Sequence, residues 1–345
     1  MKQKIFFILL FIIAKPGFGG NVDRSGQAGA TELLINPWAR SSGFGGINLA
    51  SVHGVEAMNV NIGGMAFTKK TEIIFSRTTW LKGSEIFINS AGIAQKVGKT
   101  GVLGLSIFSQ DFGEINTTTS KIPDGGIGTY SPRYVNLGLS YAKEFSNSIY
   151  GGVLFRGISE GVADAKSFGL AFDAGIQYVT GVRNHIKFGV AVRNVGTPMR
   201  YSGDGLSISN SDPAGKSNQL KVDQRSEKFE LPSVYNIGAT YDLKIKEYHR
   251  LSVAGSFTSN SFSRDQLGVG MEYGFREYFM LRAGYNFEKG ASKDEVRINA
   301  LTGFSAGFTF EVPLKKDGMT LGVDYSYRSS NPFSGTHSFG VRVSL

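Results

Sequence analysis

The chain runs to 345 residues with a formal charge of +9, 46 glycines, nine prolines, 40 phenylalanines and tyrosines together, and no cysteine. The lack of cysteine excludes disulfides, thiol catalysis, thiolate metal sites and a lipidated N-terminal cysteine. Scarce proline beside many aromatics favours pleated sheet, because proline cannot donate to a sheet ladder and aromatic rings pack well on its faces.

Residues 1–19, within "MKQKIFFILLFIIAKPGFGG", have the order of a secretory signal peptide. Lys2 and Lys4 form a basic start, Ile5 to Ala14 an apolar core, and Gly17-Phe18-Gly19 a small-residue cleavage context. The apolar run is too short to span a bilayer as a helix. Its removal takes Lys2, Lys4 and Lys15 with it and lowers the charge from +9 to +6. An exported chain of that charge suits an acidic lipid headgroup or an acidic partner, and not nucleic acid.

Residues 20–69 do not alternate. The stretch "INPWARSSGFGGINLASVHGVEAMNVNIGGMAF" is rich in Gly, Ala and Asn, compatible with short helices, and too apolar for a disordered leader. It is expected to fold as a plug inside whatever the rest of the chain builds.

From residue 70 to 345 the hydrophobic period is two. Val135, Leu137, Leu139 and Tyr141 alternate with Asn136, Gly138, Ser140 and Ala142, and Phe168, Leu170, Phe172, Ala174, Ile176 and Tyr178 alternate with small or polar neighbours. Fourteen such segments are predicted: 71–80, 84–95, 100–110, 133–145, 148–158, 166–180, 185–194, 232–245, 248–259, 266–276, 277–288, 297–312, 317–328 and 336–345. The first two alternate poorly. The links sort by parity: "KVGKT", "FSNSI", "TGVRNH", "KIKEYH", "FREY" and "PLKKDG" are turns, whereas the links at 111–132, 159–165, 195–231, 260–265, 289–296 and 329–335 are mostly longer.

Turns on one side and loops on the other are the asymmetry of an outer-membrane barrel. A soluble sandwich would show water long charged residues. Here the face opposite the bulky one is Gly, Ser, Ala, Asn and Thr, which fit a narrow lumen. Aromatics near strand ends, among them Tyr141, Phe145, Tyr178, Tyr241, Tyr273, Phe275, Phe279, Tyr325 and Tyr327, suit interfacial girdles. The fold class predicted is all-β, a transmembrane antiparallel β-barrel of about 14 strands closed against lipid.

On this phase the lumen receives Arg156, Lys187, Arg193, Arg282 and Arg342 with Asp173, Asp242, Glu272 and Asp324. Buried charges need partners, so one reading is a network of ion pairs that stiffens or plugs the barrel. The other is a polar path or a site for a charged headgroup. The near balance of signs points to the network, because selective pores segregate charge. Only Leu154 and Met280 read as apolar and inward.

Scans for catalysis find nothing that holds together. Asp111-Phe112-Gly113 lacks the glycine-rich and catalytic loops of a kinase. Gly43-x-Gly45 opens no strand–helix unit with a following acid. His53, His185, His249 and His337 lie far apart without ligand spacing, so no metal site, cofactor or enzymatic activity is expected.

The segment before the barrel resembles the start of FadL-like outer-membrane proteins, whose leaders read A-R-x-x-G-M-G-G-A and later N-P-A-G-L-A at a lumenal hatch. Ala39, Arg40, Gly43, Gly45 and Gly46 match the first half, with Phe44 in place of Met. Asn61, Gly64, Met65 and Ala66 match the second, with Ile62 in place of proline and Gly63 in place of alanine. Within that group, "ELLINPWARSSGFGG", "GVEAMNVNIGGMAFTKKTEIIFSR", "SYAKEFSNSIYGG" and "DAGIQYVTG" are similar to the PorV/PorQ family of the type IX secretion system. That resemblance implies an accessory barrel in outer-membrane lipid. It would bind a secretion translocon, an attachment complex or the C-terminal domains of secreted cargo through loops 111–132 and 195–231. The broader resemblance implies instead a FadL-type channel for long-chain fatty acids or other hydrophobic compounds, which requires an apolar pocket in the lumen. A barrel that only scaffolds other envelope proteins is the third expectation.

Overall fold

The computed structural model describes residues 20–211, 219–291, 297–314 and 318–345, so the predicted signal peptide lies outside the described residues. Strands β1 (Thr71–Trp80), β2 (Ile86–Val97) and β3 (Gly101–Asp111) are followed by a short hairpin, β4 (Ile115–Asn116) with β5 (Thr129–Tyr130). Next come β6 (Arg133–Ser146), β7 (Ile149–Val162), β8 (Ala165–Thr180) and β9 (Ile186–Gly196). A second hairpin, β10 (Ser207–Ser211) with β11 (Gln219–Asp223), precedes β12 (Val234–Lys246), β13 (His249–Asn260) and β14 (Gln266–Phe275). The chain ends with β15 (Phe279–Glu288), β16 (Leu301–Pro313), β17 (Thr320–Ser330) and β18 (Thr336–Ser344).

Leaving the two hairpins aside, fourteen strands form one closed antiparallel barrel in which each pairs with its sequence neighbours. β1 closes on β18 from Glu72↔Ser344 to Thr79↔His337, and the Leu345 amide donates to the Thr71 carbonyl at 2.8 Å. The fourteen predicted segments correspond to these fourteen strands.

The outward face is apolar and open. Leu105, Leu139, Phe155, Phe168 and Phe339 are 56–64% exposed, a belt that water would not tolerate and hydrocarbon would cover. Across β15 to β18 its aromatics form a row that starts at the short-turn end with Phe279 and climbs to Phe339. Centroid spacings are 4.9 Å for Phe279–Phe310, 5.5 Å for Phe310–Phe308, 5.4 Å for Phe308–Tyr325 and 4.9 Å for Tyr325–Phe339. Ring pairs at these spacings stabilise by quadrupole contact as well as area.

Three predicted links carry more regular structure than expected. Residues 159–165 are not a loop: β7 and β8 continue to Val162 and Ala165 and turn at Ala163, whose φ is 48°. The sequence gives no apolar rhythm there because these strands, 14 and 16 residues long, exceed the 9–11 or so that cross a bilayer. Their polar ends project beyond lipid. The loops at 111–132 and 195–231 are not wholly irregular either, since each carries a two-stranded hairpin.

Candidate functional site: the occupied lumen

Residues 38–67 fold into short turns held against the inner wall. A one-turn α-helix, α1 (Ala39–Gly43), starts after Trp38, and its last turn closes through Gly45 and Gly46 at φ 72° and 74°. The Gly45 amide donates to the Ser42 carbonyl and that of Gly46 to the Ser41 carbonyl, both at 2.9 Å, which satisfies the helix's orphan carbonyls. Left-handed backbone at two successive positions is what glycine supplies cheaply. α1 packs on β16, β17 and β18, where the wall thins to Gly307, Ser326 and Gly340. A methyl group on Gly43 would stand 3.1 Å from Gly307 Cα, so helix and wall touch through main chain.

Two 3-10 turns follow, Gly54–Asn59 and Ile62–Phe67. The second packs on β6, β7 and β8. Asn61 starts it by accepting from the Gly63 amide at 3.2 Å, so the turn forms with Ile62 where the resemblance has proline. The Asn61 amide also donates to the Leu49 carbonyl at 3.1 Å and to the Ile176 carbonyl of β8 at 3.0 Å, tying the segment to itself and to the wall. Gln177 donates to Leu49 and Val52 at 3.2 and 2.9 Å. Met58 and Met65 fill the space above Gly104, and a side-chain carbon there would overlap both. Ala66 is buried beside them, and a methyl group on Gly64 would overlap the Val52 carbonyl.

The inward charges meet in three groups. Arg156 and Asp173 pair through Nε and Nη2 to one carboxylate oxygen at 3.0 and 2.8 Å, with side chains 4% and 3% exposed. Arg156 also donates to the Met58 carbonyl at 2.7 Å, and Arg193 donates to the Asn59 carbonyl. A β-bulge sets this up: Arg193 and Asn194 oppose the single Asp173, and the Asn194 amide, at φ 60°, reaches the Asp173 carboxylate at 2.7 Å. Two arginines from the wall therefore hold the end of one lumenal turn.

The second group gathers Glu272 with Arg282 at 2.9 Å, Arg250 at 2.9 Å and Arg40 of α1 at 3.9 Å. Lys187 and Asp242 pair beside it at 2.9 Å. The third joins Arg342 to Glu311 at 2.8 Å and to Glu56 at 3.8 Å, with Asp324 bonded to Thr309. Glu56 in turn accepts from Ser41, and the Val55 amide donates to Glu72 at 2.7 Å. Glu56, Glu72, Arg250 and Glu311 escape the sequence reading. Glu311 was recoverable, because it keeps the inward phase of Thr309. Glu56 stood as a lone acid in an apolar run with nothing to show what it faces.

The expectation that only Leu154 and Met280 are apolar and inward is corrected. Ile88, Phe108, Tyr134 and Ile158 are also buried inward, and with Ala30, Leu33, Ala171, Met199 and Leu231 they form one cluster toward the long-loop end. Segments such as "EIFINS" and "SIFSQ" carry bulky residues on both faces, so alternation failed to report the inner one.

Two cavities lie on either side of the α1 turn. One of about 520 Å³ opens at the short-turn end and is lined by the charged groups around Arg40, Glu72, Arg250 and Arg342. The other, about 640 Å³, opens at the long-loop end, with Leu34, Trp80, Phe112, Val234, Phe262 and Leu301 on its walls. Asn36, Gln110, Arg193 and Asn236 also line it, and each has one buried side-chain polar atom without a hydrogen-bond partner (Nδ2, Oε1, Nε and Oδ1). Phe44 and Ile47 pack on Ala254 between the two. Beside the outer cavity the wall is loosely joined. Pairing of β15 with β16 runs from Phe279↔Phe310 to Tyr285↔Phe304 and stops, while β15 continues to Glu288 bonded to β14. β16 bulges there between Leu301 and Ser305, with Gly303 at φ 100°. Among the described residues no group of three or more His, Asp or Glu side chains could hold a metal.

No family model matches the sequence, and no curated protein matches it. Solved structures match its shape. The CymD monoaromatic hydrocarbon channel aligns over 90% of this chain and 97% of its own with a TM-score of 0.56 at 11% identity. The Pseudomonas putida toluene transporter TodX aligns over 86% and 93% with a TM-score of 0.53 at 11% identity. A Pseudomonas aeruginosa FadL homologue aligns over 90% and 96% at 0.50 and 11% identity. At such identities the likeness establishes the fold alone: a closed antiparallel β-barrel of 14 strands, as in FadL-like outer-membrane barrels. The first of these neighbours is named a channel and the second a transporter. None of their names refers to PorV, PorQ or type IX secretion.

Proposed function

We propose that the protein is an outer-membrane channel that admits a hydrophobic or amphiphilic small molecule, with residues 20–69 as the plug it must pass. The observation that carries this reading is the outer cavity. Its volume, about 640 Å³, is in the range of about 300–1,000 Å³ usual for small-molecule sites, and apolar side chains such as Trp80, Phe112 and Leu301 share its walls with polar ones such as Gln110, Asn236 and Asn260. The polar side chains on these walls give an amphiphile's polar end partners, and the stretch of β15 that is not paired to β16 lies beside the cavity. The names of the similar barrels, two of them hydrocarbon or toluene channels, favour the same substrate class. The test is uptake of toluene and of a fluorescent fatty acid by vesicles holding the protein. Val234→Trp, which fills the cavity, should lower influx at least about fivefold, as loss of an apolar pocket of this kind should. Influx equal to that of empty vesicles would end the proposal.

The type IX accessory reading keeps one supporting observation. Both long loops carry hairpins or turns with exposed apolar residues, Ile115, Ile122 and Ile127 on one and Ile208 and Val222 on the other, as a protein-binding surface would. Deleting 113–128 should then abolish cargo attachment to the cell surface; unchanged secretion and attachment would remove that role.

A further inference from the structure

The short-turn rim carries an uncompensated positive charge. Lys69 and Lys70 precede β1, and Lys96 and Lys99 flank the first turn. Lys143, Arg183, Lys244, Lys246 and Arg276 then supply the next four short turns. Against these nine cations the same rim offers Glu144, Glu247 and Glu277, with Glu277 taken by Arg250 at 2.7 Å, while Glu72 and Glu311 at the same end bond the Val55 amide and Arg342. None of the nine forms an ion pair among the described residues. The opposite rim is mixed, with Lys82, Lys121, Lys166 and Lys228 interleaved with Asp111, Asp124, Asp164 and Glu227.

Two of these cations show which way the charge faces. Lys143 Nζ lies 5.8 Å over the ring of Phe145, and the Arg276 guanidinium lies 4.7 Å over Tyr248 and 5.6 Å over Phe275. Those rings are on the outer face, with Phe145 66% and Tyr248 50% exposed. Cations held on lipid-facing aromatics at strand ends lie at headgroup depth, where rings of this kind settle. A lumenal ligand would not meet them, and a soluble acidic protein would have no use for the exposed aromatic rings beside them.

We propose that the short-turn rim is a binding belt for the phosphate headgroups of anionic phospholipids in the adjoining leaflet. Each phosphate would sit against one or two guanidinium or ammonium groups while its acyl chains cover the neighbouring rings. Short turns face the periplasm in barrels of this class, so the belt fixes the barrel's height against the inner leaflet. This reading rests on the fold and not on what the lumen carries.

The experiment reconstitutes the full chain in phosphatidylcholine vesicles with tail-spin-labelled phosphatidylglycerol or phosphatidylcholine and measures the motionally restricted fraction by electron paramagnetic resonance. The expected preference for phosphatidylglycerol is about fivefold, the effect of roughly one lysine or arginine at an anionic surface. It should collapse toward about one in ~1 M salt, where the screening length is about 3 Å. The triple variant K143Q/R183Q/R276Q should lose at least about half of it, whereas K121Q/K166Q on the opposite rim should keep it. Equal association of the two lipids at low salt overturns the proposal. So does a full preference surviving in the triple variant, which would place the selective surface elsewhere.

Discussion

Replacing Arg156 by methionine tests whether the wall's arginines hold the lumenal segment in place. The pair with Asp173 is 2.8 Å long and almost wholly buried. At an effective dielectric of ~20 its gross attraction is about 6 kcal/mol. The charged hydrogen bond from Arg156 to the Met58 carbonyl adds about 1.5–3 kcal/mol. Desolvation offsets much of this, and removing one partner of such a pair costs about 3–5 kcal/mol in practice. The Asn194 amide still bonds Asp173, so the lower end, about 3 kcal/mol, is expected. The chain has two tryptophans. In a Trp80→Phe background the remaining Trp38, 1% exposed and packed with Met58 and Val55, emits from inside the lumen. With a urea slope of about 1–3 kcal/mol/M, Arg156→Met should move the Trp38 red shift roughly 1–3 M lower. The barrel's own unfolding, followed by its heat-modifiable electrophoretic mobility, should move less. Arg156→Met with Asp173→Asn should regain part of the loss, because the neutral amide leaves no orphan carboxylate and its oxygen can still accept from the Asn194 amide. An unmoved Trp38 transition, or a double variant no better than the single, would refute the argument.

Other outcomes follow from the same packing. Gly64→Val should destabilise the lumenal segment by about 1–3 kcal/mol through overlap with the Val52 carbonyl, whereas Gly161→Ala in β7, with open space around it, should cost less than about 1 kcal/mol; paired urea curves decide. Glu32, in the turn Thr31–Leu34 near the outer cavity, has its carboxyl pushed up by burial and by the nearby Glu160, against a hydrogen bond that lowers it. A raised folded value means stability present below the unfolded value near 4.5 and lost as pH rises through the folded one. Glu32→Gln should therefore flatten the fall in urea midpoint above pH 4.5, and an unchanged slope would show that Glu32 is not its source.

The barrel was legible because its physics is periodic. Lipid on one side and a tight lumen on the other force alternation over Val135–Ala142 and Phe168–Tyr178, and a strand phase once set places Arg156, Asp173 and Arg282 inward. The interior was harder to read wherever that contrast vanished. Ile88 and Phe108 are bulky and inward, each directly after a bulky neighbour (Phe87 and Ile107), because the outer lumen is itself packed with apolar side chains. The β9 bulge at Arg193–Asn194 has no signature in composition, since it answers to a carboxylate on another strand. The partners of Glu56 lie 15 and 286 residues away along the chain, at Ser41 and Arg342, and no local pattern encodes such a meeting. Lumenal turns without period can be placed from sequence only by motif, as Asn61 was.

The seam between β1 and β18 has a consequence for assembly order. Its side-chain bonds, such as Thr78 to Ser338 at 2.7 Å, join residues 260 positions apart, so the closing pairs are the least local contacts in the sheet. Contacts of that span are slow to find because the whole intervening chain must be ordered first. The lumenal segment spans the same gap earlier, touching β6–β8 through Ile62–Phe67 and β16–β18 through α1. It can act as an internal mandrel: the two halves wrap around it and are brought into register before the last ladder zips. A barrel deprived of residues 20–69 would then be slow to close even where its finished wall is stable, and the segment would have shaped the pore before it ever obstructed it.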